Sequence, residues 1–172
     1  MNEQENFKKF NQAIEILPVS IKSVLLKIDL MFKKSVSEIR FRTNKPVTLS
    51  LGAKNICIDL NGTACGKNQA WILNNEEIKD IFHALCDGSI YSHQDDINSG
   101  YITLKGGHRA GVCGQAIYSE RGISVKSVNS VNLRIARQYR GCADSIIKIF
   151  RERKIFSLLD YSCHYYTKNS HT

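Results

Sequence analysis

The chain has 172 residues, of which 42% are apolar, and a formal net charge of +8. That length and apolar content fit one globular domain, with or without a fragment of a second, and they exclude a disordered chain. All of the excess positive charge lies after residue 98, where 12 Lys and Arg face only 4 Asp and Glu. Such asymmetry is typical of a surface that meets phosphate, nucleic acid or an acidic protein, or of a solvated basic face.

Apolar residues at helical spacing open the chain over residues 4–17, and Pro18 interrupts the pattern. A second helix is expected to follow, with apolar positions as far as Ile28. The apolar spacing then changes to two, which predicts three antiparallel strands over residues 36–42, 47–51 and 56–60. In the first of these strands Ile39 and Phe41 share one face. The opposite face carries charged residues, namely Glu38, Arg40 and Arg42.

A capping pair, Asn74 and Glu77, predicts a helix that ends near Gly88, and a shorter helical piece is expected over residues 89–98. The second half then predicts a β-meander with glycine turns. Its expected strands cover residues 101–104, 108–118, 123–125 and 131–137. A last helix is expected to start near Gly141, and the aromatic and polar end of the chain is expected to be poorly ordered. The predicted fold class is α+β.

Six cysteines occur without a C-x-x-C pair, and the chain begins with polar residues and no apolar signal segment. This pattern favours a reducing cytoplasm and argues against a disulfide framework. The longest apolar runs fall far short of the roughly 20 residues that a membrane-spanning helix needs. Any membrane association is therefore expected to go through a partner.

The glycine-rich run from Gly100 to Gly114 carries Arg109, and the later stretch 131–137 carries Arg134 and Arg137. Glycine is costly inside a strand, so its repeated use suggests tight turns or close backbone approach. Guanidinium groups match phosphate and carboxylate geometry, so the three arginines could converge on one anion. Arg134 falls on the polar face of its strand, whereas Arg137 falls on the apolar face and is expected at the strand end.

Other motifs have a plainer structural explanation. The stretch from Gly62 to Asn68 has one residue too few between its glycines, and no hydroxyl after the lysine, for a phosphate-binding P-loop. His83 and Cys86 lie three apart on a helix, but no paired Cys or His motif completes a zinc site. Cys113 and His108 lie on opposite faces of a strand, which argues against a thiolate and base pair. No catalytic residue and no metal ligand is predicted.

Five motifs together closely resemble the stage III sporulation protein AA family, over about residues 5 to 148. They are Ser37 to Arg42 with Pro46, Ser89 to His93, Gly100 to Thr103, Gly106 to Gly114, and Val131 to Arg137. The resemblance implies that the chain is related to the ATPase of the channel between mother cell and forespore in endospore-forming bacteria. It also implies similarity to secretion and pilus motor ATPases, which combine an N-terminal α/β domain with a C-terminal RecA-like domain.

In that family a P-loop follows shortly after the stretch that here ends at Arg137. This chain departs from the pattern: it has no Walker A or Walker B motif, and we expect residues 1–148 to be the N-terminal domain and residues 149–172 a divergent tail. A truncated or frameshifted gene would explain this, and the chain alone is expected not to hydrolyse ATP. ATP and magnesium are implied only for full-length members.

The resemblance implies that this domain assembles subunits into a ring and clamps the nucleotide. Its candidate phosphate-sensing residues are Arg109, Arg134 and Arg137. The implied partners are further copies of the chain and other sporulation channel components at the membrane, and the implied location is the mother-cell cytoplasm. No nucleic-acid partner is expected for such a domain. A basic nucleic-acid-binding module in the second half is the alternative function.

Overall fold

A computed structural model describes residues 3–119, 122–137 and 143–152. The chain divides into a compact unit, Asn2–Arg137, and a second unit formed by residues 138–172 together with Met1. The described helices are α1 Glu3–Ile14, α2 Val19–Leu25, α3 Leu30–Ser35, α4 Asn75–Leu85, α5 Gln94–Asn98 and α6 Asp144–Glu152. The described strands are β1 Glu38–Arg42, β2 Thr48–Leu51, β3 Lys54–Ile58, β4 Ala64–Cys65, β5 Tyr101–Thr103, β6 Arg109–Ser119 and β7 Gly122–Arg134.

The predicted helices form, and one more appears. The second helix ends at Leu25 rather than reaching Ile28, and α3 follows it. Asp29 starts α3 by accepting a hydrogen bond from the backbone N–H of Met31 at 2.7 Å. The predicted capping box of α4 is confirmed, because Asn74 and Glu77 each bind the other's backbone N–H.

The strands join in one antiparallel sheet, in the order β4-β3-β2-β1-β7-β6-β5. The predicted three-stranded unit and the meander are therefore parts of a single sheet, because β1 pairs with β7 and Ile39 lies opposite Leu133. The prediction of two separate strands over 123–125 and 131–137 was wrong. They are parts of one strand, β7, whose polar middle residues pair with β6 across two register shifts.

One face of this sheet is apolar and packs against the helices of the compact unit. It contributes buried side chains from alternate positions of neighbouring strands, among them Ile39, Leu49, Ala110 and Leu133. Buried residues of α1, α2 and α4 belong to the same core. Because successive strand residues point to opposite sides, the charged residues of β1, β6 and β7 lie together on the other face. The α+β fold class is confirmed.

Gly114 lies at the first register shift in the long hairpin of β6 and β7, where only glycine fits. A Cβ atom there would lie 1.9 Å from the backbone oxygen of Ser127, far inside any real contact distance. The register of the pair shifts between Cys113 and Gly114. Glycine thus allows two backbones to approach at this point of the sheet.

In the second unit, α6 covers part of the predicted last helix, and its Ile146 and Ile149 are exposed. The predicted poorly ordered end lies outside the described residues. Within residues 3–119, 122–137 and 143–152, no helix combines the length and the apolar character that crossing a membrane requires.

Candidate functional site

The sheet brings two of the three predicted arginines side by side. Arg134 of β7 lies directly opposite Arg109 of β6, and on its other side lies opposite Glu38 of β1. Directly opposed residues of an antiparallel pair have Cβ atoms about 4.5–5.5 Å apart. Both arginine side chains are exposed. We call the sheet surface that carries Glu38, Arg40, Arg42, Arg109, Asn132 and Arg134 the arginine face.

The charges of the arginine face are unequally matched. Glu38 is bound to Arg40, with the guanidinium Nε 2.5 Å from the carboxylate Oε1. Within the described part of the chain, Arg134 makes no hydrogen bond or ion pair of its own. Like charges placed directly opposite each other destabilise a sheet. The pair formed by Arg109 and Arg134 is therefore a position at which an anion would be favourable.

Tyr101 supports the exposed guanidinium of Arg109. The central carbon of that guanidinium lies 5.1 Å from the centroid of the Tyr101 ring, which is a cation–π distance. Tyr101 belongs to β5 and lies opposite Gly111 on β6, which in turn lies opposite Asn132. Since glycine has no side chain, no side chain projects from the arginine face between Asn132 and Tyr101. Arg109 remains exposed to solvent despite this contact.

Within the described residues Arg137, unlike the other two arginines, uses its guanidinium for hydrogen bonds to backbone carbonyls. Its guanidinium donates to the backbone oxygen of Val36 at 3.0 Å and to that of Lys33 at 3.1 Å, and it also contacts the oxygen of Lys34. These carbonyls belong to the C-terminal end of α3 and the residue that follows. A cation is favourable there because the last carbonyls of a helix lack partners within it. Arg137 thus joins the chain after β7 to α3.

The glycine turn before Arg109 is fixed by α1. Gly106 and Gly107 have φ angles of 81° and 80°, which glycine adopts without strain. A Cβ atom on Gly106 would lie 2.3 Å from the side-chain oxygen of Gln12. The ammonium group of Lys9 donates to the Gly106 backbone oxygen at 3.1 Å. This turn sets the first residue of β6, which is Arg109.

His108 anchors the same turn to the end of β7. Its ring is completely buried, and its Nδ1 accepts a hydrogen bond from the backbone N–H of Ala136 at 3.0 Å. Burial is the larger cause that lowers the pKa of His108, and the positive charge of Lys9 is the smaller one; together they lower it to about 4. The imidazole is therefore neutral at physiological pH, with its proton on Nε2. It acts as a fixed acceptor that ties the Arg109 turn to the residues before Arg137.

The weaker motifs lie in ordinary structural surroundings. Gly62 belongs to the turn between β3 and β4, where a Cβ atom would lie 2.7 Å from the backbone nitrogen of Ile28. His83 is exposed while Cys86 is buried, and burial raises the pKa of the Cys86 thiol to about 11, followed by nearby Asp87 and Asp96. Among the residues that the structure describes, no group of three or more metal-binding side chains occurs.

Sequence reasoning placed Arg40 and Arg42 outside the site. The alternation in β1 correctly put Arg40 and Arg42 on one face with Glu38, as a charged strand face that is usually solvated. The missing information was the pairing of β1 with β7, which lines Arg40 up with Asn132 and Glu38 with Arg134. Pairing across about ninety residues of sequence leaves no local pattern.

Comparison with known proteins gives consistent results. The family model described as "Sporulation stage III, protein AA" matches residues 7–166. A curated relative, the "Stage III sporulation protein AA" of Bacillus subtilis (strain 168), is 31% identical over 138 residues. This match covers 80% of the chain and 41% of the relative, so the chain spans about two fifths of the relative's length. The family match includes residues 149–166, and the predicted boundary at residue 148 stays a prediction.

Among solved structures, the X-ray structure of the Legionella pneumophila ATPase DotB is similar over part of its length. The two chains are 18% identical, with a TM-score of 0.34, and the match covers 70% of this chain and 33% of that one. Values this low carry no argument about function or about the arrangement of the whole molecule.

Proposed function

Because the chain belongs to the sporulation stage III protein AA family, we propose that it acts as the N-terminal assembly and nucleotide-clamping domain of a sporulation ATPase. In this proposal Arg109 and Arg134 contact the phosphates of a nucleotide that a RecA-like domain holds. The chain spans about two fifths of its curated relative, so the hydrolytic activity of the whole protein belongs to this proposal too.

The observation that carries the proposal is the side-by-side placement of Arg109 and Arg134 on the arginine face. Two exposed arginines directly opposite each other bring several N–H donors to one part of the sheet surface, which suits the oxygens of a polyphosphate. The carboxylate directly opposite Arg134 in the sheet, Glu38, already binds Arg40. Arg137 supports the pair indirectly, because it ties the chain after β7 to α3.

The described residues fit an anion and offer no comparable fit for a magnesium ion. No cluster of three or more metal-binding side chains occurs within residues 3–119, 122–137 and 143–152. A bound nucleotide would bring Mg²⁺ and the reactive phosphate bond from the other domain, and this chain's own residues would orient and neutralise the phosphates. We therefore propose that the chain alone does not hydrolyse ATP. Assembly into a ring, attachment to channel components and location in the mother cell complete the proposal.

A binding titration tests the phosphate contact directly. Inorganic tripolyphosphate is added to the ¹⁵N-labelled 172-residue chain, and backbone and arginine side-chain resonances are followed by NMR. We expect the largest shifts at Arg109 and Arg134, with a dissociation constant of about a millimolar, as two charge-assisted contacts would give. The Arg109→Ala and Arg134→Ala variants should each weaken binding about tenfold.

The matched control removes one positive charge elsewhere on the same sheet. Lys54 of β3 is exposed, so Lys54→Ala lowers the net charge equally without touching the arginine pair. It should leave the tripolyphosphate affinity within about a factor of two. Equal weakening by Lys54→Ala and Arg134→Ala would mean that only overall charge matters, and it would contradict the proposed contact.

The same titration distinguishes the proposed phosphate contact from the alternative function as a nucleic-acid-binding module. A single-stranded oligonucleotide at about 0.15 M salt is added in place of tripolyphosphate. The proposed function predicts weak binding that is lost at this ionic strength. Micromolar binding spread over the basic second half would favour a nucleic-acid module instead.

A further inference from the structure

Two cysteines face each other at one edge of the sheet. Cys57 of β3 lies directly opposite Cys65 of β4 in the antiparallel register. Directly opposed residues point to the same side of a sheet, so the two thiols are neighbours. Both are free thiols and both are partly exposed. They lie on the same side of the sheet as the arginine face, since Cys57 lies opposite Thr48, which lies opposite Arg40.

The turn between the two strands fixes this register. The Asp59 carboxylate accepts hydrogen bonds from the backbone N–H groups of Asn61 and Thr63, at 2.8 and 2.9 Å. Gly62, with a φ angle of 75°, packs so closely on the segment before α3 that only glycine fits. Lys27 adds a hydrogen bond from its ammonium group to the Leu60 oxygen at 3.2 Å. The hairpin is therefore stabilised by hydrogen bonds within its own turn and by contacts with the segment before α3.

The spacing of the two strands suits a disulfide. The backbone N–H of Asp59 donates to the oxygen of Thr63 at 3.0 Å, so alternation along the ladder makes Cys57 and Cys65 a hydrogen-bonded pair. The Cα atoms of such a pair are about 5.5 Å apart, which is the commonest separation across a disulfide. Directly opposed Cβ atoms are about 4.5–5.5 Å apart, whereas a disulfide needs about 3.5–4.5 Å, so closing the bond requires rotation of the two side chains and a backbone shift of about an ångström. The edge strand β4, which has only two residues, is the part of the hairpin that can make this shift.

We propose that Cys57 and Cys65 are a redox-active dithiol that closes to a cross-strand disulfide by exchange with a small-molecule disulfide of the glutathione type. One cysteine thiolate attacks a sulfur of the small disulfide, and the S–S bond breaks to release one small thiolate. The second cysteine thiolate then attacks the protein-bound sulfur of the mixed disulfide and expels the other small thiolate. The two protein thiols are oxidised, the small disulfide is reduced to two thiols, and the two protons end on those thiols.

In a reducing compartment the pair stays open, as the structure has it, and an excess of oxidised small disulfide closes it. Closure would fasten β4, a strand of only two residues, to its neighbour at the sheet edge. Burial, followed by the nearby Asp59 and Cys57, raises the pKa of the Cys65 thiol. This site is independent of the proposed phosphate contact, so either can fail alone.

The test treats the folded 172-residue chain with oxidised glutathione at about pH 8.5, near the pKa of an ordinary thiol. The reaction is quenched with acid, free thiols are alkylated, and the digested protein is mapped by mass spectrometry. We expect a peptide pair joined between Cys57 and Cys65, a mass loss of about 2 Da and full reversal by dithiothreitol. The same treatment in urea should give this pair as only one of several.

Variants complete the test. In Cys57→Ser, Cys65 should end as a stable glutathione adduct, because no neighbouring thiol can displace it. In Cys113→Ser, which removes an exposed cysteine of β6, the bridge between Cys57 and Cys65 should form as before. The proposal is overturned if the folded wild-type chain carries separate adducts on both cysteines, leaves both unreacted, or gives the same mixture of pairs folded and in urea.

Discussion

Acidification should destabilise the fold through His108, whose buried imidazole is neutral in the folded chain. Burial, followed by the charge of Lys9, lowers the pKa of His108 from 6.5 to about 4. Nδ1 now accepts a hydrogen bond from the Ala136 N–H. Protonation of Nδ1 would replace this acceptor with a second N–H donor, which faces the Ala136 N–H. The unfolded chain therefore binds the proton more readily, so the free energy of unfolding falls as the pH drops from about 6.5 towards 4.

The pKa difference sets the size of this loss. Each pH unit between the two pKa values is worth about 1.4 kcal/mol, so the fall from 6.5 to about 4 corresponds to about 3 kcal/mol. At about pH 5 roughly 2 kcal/mol of this should already be lost, and above about pH 7.5 the contribution should be constant. For a domain of this kind such a loss is a large part of its total stability.

Urea unfolding at about pH 7.5 and pH 5 measures the effect. The single tryptophan, Trp71, is buried and reports unfolding by fluorescence. In His108→Asn the amide oxygen can still accept from the Ala136 N–H but cannot titrate. The wild-type chain should lose about 2 kcal/mol more than His108→Asn between the two pH values. His83→Gln, which removes an exposed imidazole, should behave like the wild type, and equal losses in wild type and His108→Asn would refute the reasoning.

Three further substitutions test individual contacts of the fold by urea unfolding. Arg137→Ala leaves the carbonyls at the end of α3 without their charged donor and should cost about 2–3 kcal/mol; a loss below about 0.5 kcal/mol would contradict that role. Gly114→Ala forces a Cβ atom onto the Ser127 oxygen and should cost about 2–3 kcal/mol, whereas Gly66→Ala, which meets open space, should be nearly neutral. Asn74→Ala removes a helix cap and should cost about 1 kcal/mol, and an unchanged urea midpoint would count against the cap.

Local patterns predicted the elements whose signals are contained in a few residues. The alternation of Ile39 and Phe41 and the cap at Asn74 are confirmed because each follows from short-range geometry. Helix α3 was missed because its six residues are too few to show a helical period, and its apolar Leu30 and Met31 turned out to be exposed. Its one local signal is Asp29, placed directly before the first helical residue.

The site was predictable only in part. The family resemblance read from the glycine and arginine motifs is confirmed. Arg109 and Arg134 lie on one exposed surface, and their direct opposition depends on the register of β6 and β7. Their role at a phosphate stays a prediction. The carbonyl contacts of Arg137 could not be foreseen, because they require a helix that the sequence did not reveal. The pairing of Cys57 with Cys65 likewise depends on the register of a hairpin.

Hydrolysis of ATP by a chimera tests the central claim most directly. In the chimera this chain replaces the matching two fifths of the Bacillus subtilis relative. The proposed function places the RecA-like domain in the remaining length. If Arg109 and Arg134 contact the nucleotide phosphates, Arg134→Ala should lower the rate about tenfold or more while Lys54→Ala leaves it unchanged. A chimera that keeps its full rate with both arginines replaced by alanine would contradict the account.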